Sequence, residues 1–394
     1  MAQDDYMNNK MILATVAVAA IVVVLIASFV VYGNDKEDPK EPTIVDEWDL
    51  VTAYIGGWND GKIIYYEDTT VHGAVKIEHY KGDFYTMGDR SDRLYGAWDG
   101  EKLISAESEY STTIVMLDAN NSNFLEVMYF DEFGAAIIEV YERQGYVGDF
   151  PGLKVPFDLP EDGTVMESYK NREYTPDGNK DHGTNTLTAR GVHGPIFFYD
   201  VLMGDDLYYF TCIYIDHRIF MSLGVCGDSY IFDMTEYRGD VLYCSSKDLG
   251  ASSTWVTEYG DESKKDYPDF DLSKRTYSGT EDFVIFKDGK IVEQKYGNKM
   301  NIRVIDQEDQ CLYISATDED GDESAMWSMV INDLRPTYHY GLSVQSVIEY
   351  NGVDYVGQYY GHFTSAKCDE LVVYGTLVSE SGSYIVISQT YKVN

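Results

Sequence analysis

The hydrophobic and polar positions of this chain divide it into two unequal regions. An uninterrupted apolar run extends from Met11 to Tyr32 and contains no charged residue. A helix of that length rises about 33 Å, enough to cross a hydrocarbon core about 30 Å thick. The run exceeds the apolar part of a cleavable signal peptide and ends in the bulky residues 29–32 instead of a small-residue cleavage site. The sequence therefore predicts an uncleaved transmembrane helix over residues 11–32, with the lipid bilayer as its partner.

The remainder of the chain contains many short runs in which apolar and polar positions alternate. These runs are rich in β-branched and aromatic residues, which is typical of half-buried strands, and long stretches with a helical period are hard to find. They occur at residues 62–66, 74–80, 113–117, 124–130, 207–215, 284–286, 312–316, 371–377 and 384–388. The predicted fold class is mainly β, with one N-terminal transmembrane helix followed by tandem antiparallel β modules, sandwich or barrel-like.

Turn dipeptides separate many of these runs. An Asp-Gly or Asn-Gly pair favours positive φ at both central positions and closes a two-residue β-hairpin. Such pairs occur at Asp60-Gly61, Asp99-Gly100, Asp162-Gly163, Asp288-Gly289, Asp320-Gly321 and Asn351-Gly352. Their number supports antiparallel pairing between neighbours along the chain.

Changes in composition indicate where the modules end. Proline-containing, polar stretches begin near residue 150 and near residue 261, and such stretches are typical of domain boundaries. The predicted organisation is a short tail (1–10), the transmembrane helix (11–32), an acidic stalk (33–47) and three β modules (48–150, 165–265 and 275–394).

A β-propeller is an alternative to tandem modules. Residues 58–64 and 98–104 are locally similar, and a repeat of about 40 residues is typical of propeller blades. The period does not continue through the rest of the chain, so separate sandwich or barrel-like modules are the preferred interpretation.

The charge of the chain limits its partners. The formal net charge is −37, and a field of that sign repels nucleic acid and anionic lipid headgroups. Lys10 lies on one side of the anchor and Lys36 and Lys40 lie on the other, so the distribution of positive charge does not decide orientation. Because an acidic surface stays soluble and hydrated, we expect the C-terminal portion to lie outside the cytoplasm.

The five cysteines, Cys212, Cys226, Cys244, Cys311 and Cys368, all lie in the second half of the chain. An odd number precludes a complete intramolecular disulfide framework, and no CxxC pair indicates zinc or redox chemistry. We interpret them mainly as small buried side chains. One or two disulfide bonds are an alternative if the protein is exported.

The densest acidic cluster, residues 318–323, is a candidate calcium site. Asp318, Asp320 and Asp322 alternate along a short loop, and carboxylate oxygens are the ligands that Ca²⁺ prefers. Gly321 occupies the fourth position of the loop, whereas an EF-hand loop has glycine at the sixth. A solvated hairpin turn is the competing interpretation, and no other cofactor is expected.

Tryptophans beside turns are candidate ligand-binding residues. Trp58 and Trp98 each lie next to an Asp-Gly pair, where an exposed ring could stack against a sugar or a peptide. Packing within a β-sheet is the competing interpretation for both rings. The seven histidines have no metal-ligand spacing, and no nucleophile motif occurs, so no catalytic residue is predicted.

These patterns favour a single-pass, membrane-anchored envelope or surface protein whose acidic, tyrosine-rich β modules bind a ligand or a partner. Two alternatives stay open: an extracytoplasmic hydrolase acting on polysaccharide or peptide, and a cytoplasmic scaffold. Two carboxyl groups about 5–10 Å apart in a cleft, one with a raised pKa, would indicate the hydrolase.

Overall fold

The computed structural model describes most of the chain after residue 42. The described residues are 43–88, 93–98, 102–106, 112–118, 120–131, 133–153, 163, 165–175, 178–203, 205–215, 219–224, 229–233, 240–243, 254–258, 272, 275–308, 311–318, 323–330, 341–342, 346–364 and 367–394. The predicted anchor, residues 11–32, lies outside them. Within these ranges, no helix has the length and apolar content that a membrane crossing requires.

The described part of the chain is built from β-strands, which confirms the prediction of a mainly β fold. All of the strand pairs are antiparallel, and they form two nine-stranded sheets and one closed barrel. The described strands therefore form barrel-like antiparallel sheets. They form neither a sandwich nor a propeller.

The first sheet contains the strands β1 to β9. Their order is β5-β4-β3-β1-β9-β8-β7-β6, and β2 pairs with β1 as an additional hairpin arm. An isolated bridge between Trp98 and Leu103 connects the two ends of this order. The strands are β1 (Thr43–Asn59), β2 (Lys62–Asp68), β3 (Ala74–His79), β4 (Phe84–Gly88), β5 (Leu94–Ala97), β6 (Lys102–Ala106), β7 (Thr112–Leu117), β8 (Phe124–Phe130) and β9 (Ala136–Arg143).

The second unit is a closed eight-stranded barrel. Each strand pairs with the next, and the last strand pairs with the first. The strands are β10 (Val165–Thr175), β11 (Gly178–His193), β12 (Ile196–Met203), β13 (Asp206–Ile215), β14 (Ile219–Gly224), β15 (Ser229–Asp233), β16 (Asp240–Tyr243) and β17 (Thr254–Glu258).

The third sheet repeats the plan of the first sheet. Its order is β21-β20-β19-β18-β26-β25-β24-β22, with β23 paired to β24. The strands at the two ends of this order, β21 and β22, are consecutive along the chain, as β5 and β6 are in the first sheet. The strands are β18 (Thr276–Lys287), β19 (Lys290–Glu308), β20 (Cys311–Asp318), β21 (Glu323–Val330), β22 (Gly341–Leu342), β23 (Ser346–Tyr350), β24 (Val353–Phe363), β25 (Glu370–Ser379) and β26 (Ser383–Val393).

Residues 43–47, at the end of the predicted stalk, are part of β1 and therefore belong to the first sheet. The division of the chain into three independent modules stays a prediction, because some apolar clusters are shared between units.

The first and third sheets each have an apolar inner face. In the first sheet this face contains residues of β1 and of each strand from β3 to β9, including Trp48, Leu94 and Val127. In the third sheet it includes Tyr277, Leu371 and Ile387. Cys212 and Cys368 are buried and free, as the interpretation of the cysteines as small apolar side chains predicts for these two positions.

Two further apolar clusters join the units, and we call them seams. The barrel seam packs the outer face of the first sheet, with Phe124 and Met128, against Ile196 and Phe198 of the barrel. The third-sheet seam packs Phe84, Tyr95 and Ala97 against Val284, Phe286, Ile291 and Val386. The first sheet therefore lies between the other two units.

Candidate ligand site in the third sheet

The inner face of the third sheet contains an unexpected polar pair. Alternate residues of β18 and β26 point to this face, and most are apolar or aromatic, such as Phe283 and Ile387. The same alternation places Glu281 of β18 and Gln389 of β26 there, directly opposite each other. Because burying a charge or an amide in an apolar environment costs free energy, this pair requires an explanation.

Glu281 and Gln389 are buried and bonded to each other. Their exposed fractions are 8 % and 4 %, and the Gln389 Nε2 donates to the Glu281 Oε2 at 2.6 Å. Burial raises the pKa of Glu281, although hydrogen bonds from Gln389 and Asn298 and the charge of Lys295 act in the opposite direction. The Gln389 Oε1 is buried and has no hydrogen-bond partner among the described residues. The pair therefore presents an unused acceptor inside the sheet.

A lysine lies beside this pair. The Lys295 Nζ is 5.4 Å from the ring centroid of Phe283 and 5.8 Å from that of Tyr350, within the range of cation–π attraction. Burial lowers the pKa of Lys295, and the negative charges of Glu293 and Glu281 oppose this shift. The ammonium is thus held between aromatic faces and carboxylates.

Glu293 and Tyr350 complete the arrangement. The Tyr350 hydroxyl donates a hydrogen bond to Glu293 Oε1, and burial, followed by this carboxylate, raises the pKa of Tyr350. Glu293 and Lys295 are partly exposed, so the group reaches from the buried Glu281 to the solvent. We call these five residues, Glu281, Glu293, Lys295, Tyr350 and Gln389, the polar cluster.

A second pair of acids lies on the first sheet. Burial raises the pKa of Glu126 to about 8, and Asp118 adds both a negative charge and a hydrogen bond. The Asp118 Oδ1 also accepts the backbone N–H groups of Asn120 at 2.8 Å and Asn121 at 2.7 Å, which fixes it in its turn. Because the two carboxyl groups bond directly, they are closer together than the roughly 5–9.5 Å that glycoside hydrolysis requires.

The predicted tryptophans lie in two different clusters. Trp58 is partly buried in the barrel seam, where its Nε1 donates to the Phe210 carbonyl at 2.8 Å and its ring lies 4.7 Å from that of Tyr209. Trp98 is partly buried on the inner face of the first sheet, near Tyr85. The structure shows packing partners for both rings, and a role in ligand binding stays a prediction for both.

The predicted calcium ligands fall mostly outside the described residues. Asp318 is the last residue of β20, whereas Asp320 and Asp322 belong to the undescribed residues 319–322. Within the described part of the chain, no three acidic, histidine or cysteine side chains are grouped so that they could hold a metal ion. The calcium site therefore stays a prediction.

Sequence reasoning did not find the polar cluster. The predicted apolar run 284–286 begins after Glu281, and the run 384–388 ends just before Gln389. The signal was a polar residue at an inward position of an alternating strand, as in Tyr277-x-x-x-Glu281-x-Phe283. Such a signal is recognisable only after the register and the inner face of the sheet are known.

Comparison with known proteins does not identify a family. No protein-family model matches the chain, and no curated protein matches it either. Among solved structures, a double mutant of transferrin-binding protein B from Haemophilus parasuis aligns at 8 % identity with a TM-score of 0.26, covering 90 % of this chain and 78 % of that one.

Two further solved structures give similar values. Transferrin-binding protein B from Neisseria meningitidis aligns at 9 % identity with a TM-score of 0.25, covering 91 % of this chain and 79 % of that chain. A protein of unknown function from Nostoc punctiforme, of the DUF3598 family, has the same identity and TM-score and covers 58 % of this chain and 95 % of its own. Similarity this low assigns neither a family nor a function.

Proposed function

We propose that this chain is a membrane-anchored surface protein that binds a ligand through its β units, and that the polar cluster of the third sheet is the ligand site. The observation that carries the proposal is the buried Glu281–Gln389 pair with its unused acceptor. A buried polar group without a partner costs about 1–3 kcal/mol. A bound ligand that donates a hydrogen bond would remove this cost.

The arrangement of the N-terminal part supports display at a membrane. The uncharged run ends at Tyr32 and β1 begins at Thr43, so residues 33–42 connect them. A chain of this length spans at most about 35 Å, which keeps the first sheet close to the bilayer. The net charge of −37 opposes contact with anionic headgroups, so the β units would face the aqueous phase.

Protease accessibility on intact cells tests the display part of this proposal. We expect an added protease to digest the β units on intact cells while a cytoplasmic marker protein stays whole. Lysed cells provide the control that the β units are cleavable under the same conditions. Protection in intact cells followed by cleavage after lysis would overturn the proposal and place the β units in the cytoplasm.

A further inference from the structure

We infer that the polar cluster is a binding site for a small primary amine, an ammonium group on a short alkyl chain. The inference rests on the proposed function, because it assigns a ligand class to the same site. In the structure, the head group of Lys295 lies in this site, and an external amine would have to displace it.

The acceptors of the cluster suit an ammonium group. A primary ammonium carries three N–H donors and no acceptor. The Glu281 carboxylate and the unused Gln389 Oε1 are both acceptors, and the hydrogen bond between the two side chains holds them together. One ammonium could donate to both groups, which would give the Gln389 Oε1 the partner that it lacks among the described residues.

The surroundings of Lys295 show which groups of the cluster attract a cation, although burial outweighs them and lowers the pKa of this lysine. Its ammonium faces the rings of Phe283 and Tyr350 and is attracted by Glu281 and Glu293. Lysine has a long, flexible side chain, and Lys295 is partly exposed. It can therefore turn towards the solvent and leave its place to an amine of similar shape.

The rest of the inner face favours a primary amine with an alkyl chain. Phe283, Ile285 and Ile387 belong to the buried apolar cluster of this face, so methylene groups that reach it would contact apolar side chains. A quaternary ammonium keeps the positive charge and the cation–π attraction but has no N–H to donate to Gln389. The number of N–H donors should therefore decide which cations bind.

Calorimetric titration of the full chain in detergent micelles tests the inference. We expect n-butylammonium chloride to bind saturably, and tetramethylammonium chloride to bind at least about tenfold more weakly, at one total ionic strength set with sodium chloride. Equal binding of the two cations, or no binding of n-butylammonium, would overturn it. Because the micelle experiment does not depend on orientation in the cell, its failure is distinct from a failure of the protease experiment.

Substitutions locate the site. Glu281→Gln and Gln389→Met should each weaken n-butylammonium binding at least about tenfold. Glu67→Gln, at an exposed position of β2, removes the same charge far along the chain and should leave the affinity unchanged. If Glu281→Gln and Glu67→Gln lower the affinity equally, binding is diffuse attraction to the acidic surface and the inference fails.

Lys295→Ala provides a variant with the opposite expected effect. Removing the partly exposed lysine takes away the competing ammonium, so n-butylammonium should bind at least about tenfold more tightly than to the unsubstituted chain. Loss of folding cannot produce tighter binding, which keeps the inference testable even if a substitution at Glu281 unfolds the sheet. Unchanged or weaker binding by Lys295→Ala would contradict displacement of the lysine.

Discussion

Glu126 lies on the same face of β8 as Phe124 and Met128, and its pKa is raised to about 8, first by burial and then by Asp118. An unfolded glutamate has a pKa near 4.5, so the folded chain binds this proton more tightly. The resulting stabilisation is complete below about pH 4.5 and is lost as the pH rises towards 8. Glu126→Gln should therefore remove this loss, which we expect to amount to roughly 1–3 kcal/mol between pH 5 and pH 8.

Urea unfolding at pH 5 and at pH 8 measures this effect. The relevant quantity is the difference between the variant and the unsubstituted chain, because other acids titrate in both. Glu126→Gln should be the more stable protein at pH 8, with a smaller difference at pH 5. The exposed Glu67→Gln serves as the matched control, and an equal gain in stability from that substitution would refute the role of Glu126.

For individual residues, the sequence predicted which positions lie in strands better than it predicted which side chains form the candidate site. Many strand runs were recognisable from alternation, but Glu281 and Gln389 were not recognisable as a pair. They are 108 positions apart in the chain, and only the pairing of β18 with β26 brings them together. A short stretch of sequence does not show which distant strands will pair, and for this reason the candidate site could not be predicted.

Among the elements, the hairpins were the most predictable. Three Asp-Gly or Asn-Gly turns have positive φ at both central residues, as at Asp60 (50°) and Gly61 (70°), Asp288 (49°) and Gly289 (74°), and Asn351 (52°) and Gly352 (76°). This is the geometry of a type I′ turn, and it confirms the prediction at these positions. The reason is local: the steric freedom of two residues determines the turn.

The close approach of β18 and β26 gives a prediction at the element scale. A Cβ added at Gly279 would lie 1.9 Å from the Thr390 backbone oxygen and 2.8 Å from the Tyr391 Cα. Because backbone atoms cannot move aside as a side chain can, Gly279→Ala should separate the two strands. We expect a loss of about 3 kcal/mol or more, and weaker amine binding, since Glu281 and Gln389 lie on the same pair of strands.

Gly352→Ala is a suitable comparison for Gly279→Ala. Gly352 has a φ of 76°, and an added Cβ there meets nothing within 4 Å, so only backbone strain of about 1–2 kcal/mol is expected. Thermal unfolding followed by circular dichroism distinguishes the two cases. Equal losses from both substitutions would show that strand separation at Gly279 does not occur.

For the whole molecule, the sequence predicted successive β units but not how they pack together. The signal for the seams lies in strands that are apolar on both faces. In β8, Leu125 and Val127 belong to the inner face, whereas Phe124 and Met128 belong to the barrel seam. A strand of this pattern is buried on both sides, but the pattern does not say which unit covers it.

Tyr95 is a central residue of the third-sheet seam. Its ring lies 4.4 Å from that of Tyr384 and 4.9 Å from that of Phe286, and its hydroxyl accepts the Gly289 N–H at 3.2 Å. Tyr95→Ala should remove these contacts and create a cavity, at a cost of about 3 kcal/mol. Since the seam joins the first and third sheets, the variant should also unfold less cooperatively.

Differential scanning calorimetry of the full chain tests this coupling. If the seam couples the two sheets, they unfold together in the unsubstituted protein, and Tyr95→Ala splits that transition into two. Tyr66→Ala removes a ring that is 62 % exposed and should leave the transition single. Separate transitions in the unsubstituted protein would mean that the sheets fold independently. The three-module division predicted from composition would then describe the energetics better than the shared seams do.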